Sequence, residues 1–173
     1  PVNDFKPNIT PEPAMYRTIV LAYDGTRDGR LALREGARLA QVCGARVVLL
    51  AVVDPAMGLA FTADPVSGYL PLQQTDDVQR ILDEGRERLV RMGLQPEARL
   101  ETGEPAERIA AVAAETSADL VVVGHHQQGA MARWLLGSVT ATLSDRLHCS
   151  LLVARLDIPD EVLFPGATPS PSA

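Results

Sequence analysis

Cysteine is nearly missing from this chain: Cys43 and Cys149 are the two in 173 residues. Two thiols so far apart in sequence cannot build a disulfide framework or a zinc ribbon, so they read as reduced, buried side chains of a cytoplasmic protein. Aromatic residues are also few, with three Phe, three Tyr and one Trp, too few for platforms on which single-stranded nucleic acid stacks. No dense block of Lys and Arg occurs and the formal net charge is −6, which removes the counterion-releasing surface that nucleic acid binding needs. No apolar run approaches the ~20 residues that cross a bilayer. The segment Pro1-Val2-Asn3-Asp4-Phe5-Lys6 lacks the apolar stretch of a signal peptide. We expect neither a nucleic-acid nor a membrane partner.

The motifs of common enzyme classes are missing too. There is no Gly-x-Ser-x-Gly elbow, Cys/His pairing of recognisable spacing or kinase motif. Asp24-Gly25-Thr26-Arg27-Asp28-Gly29 has the wrong spacing for a dinucleotide fingerprint. Gly124 and Gly129 have P-loop spacing, but Ala130-Met131 stands where Lys-Ser/Thr is required, which excludes a P-loop NTPase. His125 and His126 are adjacent and point apart, and His148 is distant in sequence, so no metal site is expected. No residue is assigned a catalytic role, and any ATPase activity would be weak.

What is present is an alternation of apolar strands and amphipathic helices. With 46% hydrophobic residues, the chain can bury one substantial core. Proline-rich segments at 1–15 and 157–173 read as tails around a domain at 16–156. Thr18 to Tyr23 is a short β-rich run. Asp28 to Cys43 then sets Ala32, Gly36, Leu39, Ala40 and Cys43 on one helical stripe that Gly44 ends. Arg46 to Val53 is apolar without alternation, as a parallel strand covered on both faces requires. Asp54 to Thr75, rich in Pro and Gly, reads as a long mobile or binding loop. Val78, Ile81, Leu82, Leu89 and Met92 form a second stripe, with Arg80, Asp83, Glu84, Glu87 and Arg88 on a solvated face. Glu97 to Thr102 is a third strand, followed by a turn that sets Pro105 at a helix start. Asp119 to Val123 and Ser150 to Arg155 complete a set of five strands.

This order predicts an α/β fold: a parallel sheet with helices on both faces and ligands at the carboxyl ends of its strands, where Asp24, Asp54 and Gly124 sit. Leu120 to Gly129, followed by Gly137-Ser138-Val139-Thr140, describes a buried strand that feeds a helix N-terminus. Unpaired N–H groups there suit an anion such as phosphate.

In these residues the chain resembles the universal stress protein family from about Tyr16 to Arg155. Val20 to Thr26 is similar to the family's opening strand and turn, Leu49 to Asp54 to its second strand, Gly103-Glu104-Pro105 to its later turn, and Gly124 to Thr140 to its terminal loop. The resemblance implies a five-stranded sheet in the order 3-2-1-4-5, an adenine nucleotide alpha hydrolase-like fold, and a homodimer formed through Ser150 to Arg155. Nucleotide-binding members carry Gly, two residues, Gly, nine residues and Gly-Ser/Thr. Here Gly124, Gly137 and Ser138 hold the first, third and fourth places and Gln127 the second, with Gly129 two residues on. The loop is thus a hybrid, its first half similar to the UspA-like branch that does not bind nucleotide.

The resemblance implies that Asp24 contacts ribose, the backbone of Val52 adenine, Gly124 ribose or phosphate, and Gly137, Ser138, Val139 and Thr140 the phosphates of ATP, with Mg²⁺ accompanying ATP. Ala22, Thr26 and Gly129 complete the candidate set. Each has a structural alternative: Asp24 suits a turn before Gly25, and Ser138 suits a helix cap. Two functions stay open: a cytoplasmic stress-response regulator that binds ATP or another adenine nucleotide with weakened affinity, and a dimeric interaction module that contacts protein partners without nucleotide.

Overall fold

In the computed structural model, residues 15–56, 71–125 and 138–154 are described, of which 71–73, 138 and 139 by backbone alone. The order is β1 (Thr18–Ala22), α1 (Arg27–Cys43), β2 (Arg46–Val53), α2 (Pro71–Arg91), β3 (Glu97–Thr102), α3 (Pro105–Glu115), β4 (Leu120–Gly124), α4 (Ser138–Arg146) and β5 (Ser150–Ala154). The strands form one parallel sheet in the order β3-β2-β1-β4-β5, the topology that the resemblance implies.

Strand periodicity divides the core into two layers. Ile19, Leu21 and Tyr23, with Val47, Leu49 and Ala51 and with Leu120 and Val122, pack under α1 and α2. The intervening Val20, Val48, Leu50, Val121 and Val123 pack under α3 and α4 with Ile109, Val112 and Leu143. Both faces of each central strand are therefore apolar, which explains why β2 and β4 read as unbroken hydrophobic runs.

Local chemistry sets the ends of the helices. Thr26 caps α1, its Oγ1 accepting from Gly29 N at 3.0 Å. Gly44 closes α1 in the left-handed conformation (φ 62°), its N–H directed to Ala40 and Gln41 carbonyls. At the start of α3, Glu104 accepts from Glu107 N at 2.7 Å, and Pro105 occupies the first turn. At the amino ends of the strands, Asp119 Oδ2 accepts from Arg17 N (2.7 Å) and Thr18 N (2.9 Å) and joins β4 to β1. These two N–H donors hold the Asp119 carboxyl below its ordinary pKa.

Three expectations need correction. The loop predicted over Asp54–Thr75 reaches too far at its carboxyl side, because Pro71 opens α2, while its residues 57–70 lie outside the described residues; proline is compatible with a first helical turn, where its missing N–H has no partner to lose. The two cysteines are free, but both are only half-buried. The charged side of α2 is not uniformly solvated: Glu84 and Arg88, at 32% and 23% side-chain exposure, turn into the α1–α2 layer.

Candidate functional site

The sheet reverses its direction of growth at β1, whose neighbours are β2 and β4. The crevice outside the carboxyl ends of β1 and β4 is therefore where an open α/β sheet accepts a ligand. Ala22 ends β1 and Gly124 ends β4. Val52 lies near the end of β2, with its side chain packed against the α3–α4 layer; Leu50 O accepts from Tyr23 N on the β1 side and Val53 O accepts from Gly103 N on the β3 side, so alternation turns the Val52 main-chain groups toward the β1 side, past the end of that strand.

Between β1 and α1, Asp24-Gly25-Thr26 makes a compact turn. Gly25 adopts φ 75°, a left-handed setting that disfavours a Cβ. The exposed Asp24 directs Oδ1 to Thr26 N at 3.0 Å and Thr26 Oγ1 at 2.6 Å. The Thr26 hydroxyl donates to Asp24 while accepting from Gly29 N, so one side chain locks the turn and caps the helix. The turn-forming role of Asp24 is thus realised, and its carboxylate stands at the rim of the crevice. Thr26 also acts as a helix cap, a role that reading the turn as a ligand contact missed.

Gly124 meets this turn from the other side. A Cβ built there would lie 2.6 Å from Asp28 C, 2.7 Å from Asp28 O and 2.8 Å from Gly29 N. The end of β4 and the first turn of α1 are thus in backbone contact, which requires glycine whatever the crevice holds. His125 follows, its N–H bonded to Ala154 O of β5 at 3.1 Å.

The structure therefore brings Ala22, Asp24, Thr26 and Gly124 together around the N-terminus of α1, with Val52 on the adjacent strand. Ser138, Val139 and Thr140 form the first turn of α4, Ser138 being its first helical residue. Gly129, Gly137, Gln127 and His126 lie outside the described residues.

A polar cluster under the crevice went unnoticed in the sequence. Tyr23 is 3% exposed, and its hydroxyl donates to Glu84 Oε2. Glu84 Oε1 pairs with Arg88 Nε and lies 3.6 Å from Arg30 Nε. Burial, then the hydrogen bond and charge of Glu84, push the Tyr23 phenol up to about 12. The available signal was a tyrosine closing an otherwise aliphatic strand, since a buried phenol needs a partner.

Known proteins share this architecture. The family model described as "Universal stress protein family" matches residues 15–155. Universal stress protein YxiE of Bacillus subtilis is 28% identical over 151 residues, covering 82% of this chain and 100% of that protein. A universal stress protein of Mycobacterium tuberculosis (strain H37Rv) is 30% identical over 142 residues, covering 80% of this chain and 95% of its own. Among solved structures, a universal stress protein in complex with cAMP is 26% identical with a TM-score of 0.61, covering 81% of this chain and 97% of its own. A protein of the same family from Burkholderia pseudomallei is 29% identical with a TM-score of 0.60, covering 81% and 96% respectively. With sheet order, turn chemistry and a match running from the residue before Tyr16 to the end of β5, the chain belongs to the universal stress protein family.

Proposed function

We propose that this chain is a stress-response regulator that binds an adenine nucleotide in the crevice between the carboxyl ends of β1 and β4. The observation that carries the reading is the convergence of Asp24, Thr26 and Gly124 on the N-terminus of α1 at the topological switch point. The chemistry fits: an exposed carboxylate accepts from ribose hydroxyls, the backbone of Val52 offers polar groups to a base, and the first turn of α4 offers N–H groups to phosphate. The related protein solved with cAMP supports an adenine ligand. On this reading ATP, with Mg²⁺, binds with weakened affinity, because Gln127 carries a side chain where nucleotide-binding relatives carry glycine. The nucleotide acts as an effector in the cytoplasm, not as a substrate.

The same reading includes a homodimer through β5. That strand is an edge of the sheet, with Leu151, Leu152 and Val153 only partly buried. The opposite edge, β3, carries Glu97 and Arg99 paired with Arg46 and Glu115, a charged edge that discourages strand addition. This asymmetry also favours the second reading, a dimeric module that contacts protein partners.

Calorimetric titration with ATP and Mg²⁺ separates the two readings. Saturable heat corresponding to one nucleotide per chain is expected, strengthened by Gln127→Gly and abolished by Gly137→Val. Absence of heat at millimolar nucleotide would leave the interaction module.

A further inference from the structure

The polar cluster beneath the crevice lies outside the candidate binding set, yet it grips that set's backbone. Tyr23 stands between Ala22 and Asp24, and its N–H bonds Leu50 O at 2.8 Å. Its hydroxyl reaches Glu84 on α2, and Glu84 faces Arg30 on the first turns of α1. The aromatic ring fills a notch at Gly85, where a Cβ would lie 2.6 Å from Tyr23 Cδ1 and 2.8 Å from Cε1. Two neighbouring contacts reinforce this one. Ile81 of α2 abuts Gly25, where a Cβ would be 3.1 Å from Ile81 Cγ2. Gln74 Nε2 donates to Asp54 O, just past the end of β2, at 2.8 Å.

α2 therefore touches the rim of the crevice at the turn after β1, at the end of β1 and after β2. Apolar packing alone would let a helix settle in several rotations over the sheet. A buried phenol does not, because only a setting that presents Glu84 satisfies its hydroxyl. Phenylalanine would keep the ring in the Gly85 notch but lose the bond to Glu84.

We propose that Tyr23, Glu84 and Arg30 form a positioning tie that couples α2 to the Asp24–Thr26 turn, so that nucleotide in the crevice and the docked helix stabilise each other. The inference rests on the proposed reading of the crevice as an adenine-nucleotide site. Linkage makes the coupling reciprocal: if docking of α2 strengthens nucleotide binding, nucleotide must protect α2 by the same factor.

The test uses the full chain and AMP. Hydrogen exchange across α2 is measured with and without AMP, and AMP affinity by calorimetry, in the wild type, Tyr23→Phe, Glu84→Ala and the double variant. In the wild type, AMP is expected to slow exchange in α2. Each single variant should weaken AMP binding by about three- to tenfold, the range a lost hydrogen bond supplies, and erase most of that slowing. The double variant should lose no more than the weaker-binding single variant, since both break one tie. Gly44→Ala, which strains the left-handed cap of α1 away from the crevice, should lower thermal stability and leave AMP affinity unchanged. Should Tyr23→Phe fold poorly, Glu84→Ala reports on the same bond from the other side. Wild-type binding with equal affinity in both single variants, or wild-type binding that leaves exchange in α2 untouched, overturns the tie alone. A wild type that takes up no AMP overturns the proposed site and the tie with it.

Discussion

Gly124→Ala should destabilise the protein in the complete absence of ligand. A Cβ at this position would approach Asp28 C, Asp28 O and Gly29 N to between 2.6 and 2.8 Å. Non-bonded heavy atoms settle near 3.5 Å, so relief requires that β4 and α1 separate by roughly 0.7–0.9 Å. The obstructing atoms are main chain, and no rotamer change can clear them. Both elements are also anchored: β4 lies between β1 and β5, and α1 is capped by Thr26. Overpacking of this kind costs about 1–3 kcal/mol, which for a domain of this size lowers the melting temperature by about 2–12 °C. Thermal and urea unfolding of nucleotide-free protein, monitored by circular dichroism, measures it. A midpoint unchanged from the wild type would refute the close-approach reasoning and return Gly124 to a role that only a ligand imposes.

Thr26→Ala removes a hydroxyl that donates to Asp24 and accepts from Gly29; loss of the cap should cost about 0.5–2 kcal/mol in chemical unfolding, whereas Thr26→Ser should restore most of it. Tyr23 is pushed up to about 12 by burial and by Glu84, so its neutral form stabilises the fold. That contribution is complete below the unfolded phenol value of about 10 and disappears as pH rises toward 12. Unfolding midpoints measured through this range should fall more steeply in the wild type than in Tyr23→Phe. Asp119 is held low by the Arg17 and Thr18 N–H groups, so its contribution is complete above the unfolded value of about 4 and is lost as pH falls through its depressed folded value. Asp119→Asn should lower stability at neutral pH and flatten the acid limb of the stability profile.

Main-chain periodicity was legible in the sequence, and contacts between distant residues were not. The ranges Arg46–Val53 and Glu97–Thr102 coincide with β2 and β3 as observed, because local composition and flanking turns determine both. Pro71 misled, since the same residue that breaks a helix interior also begins a helix. The structural need for glycine at position 124 was not legible, because the sequence cannot reveal that α1 passes within van der Waals distance of it. Glu84 looked solvated because its partner, Tyr23, is 61 residues away. The capping role of Thr26 was not legible either, because it required knowing that α1 begins one residue later.

The site itself is tested most directly by titrating isotope-labelled protein with AMP and following backbone amide resonances. The proposed crevice predicts that the saturable shifts concentrate at Ala22, Asp24, Gly25, Thr26, Val52 and Gly124, with Arg17, Asp119 and Ser150 at the opposite end of the sheet unmoved. Shifts centred on that opposite end, or none at millimolar AMP, would contradict it.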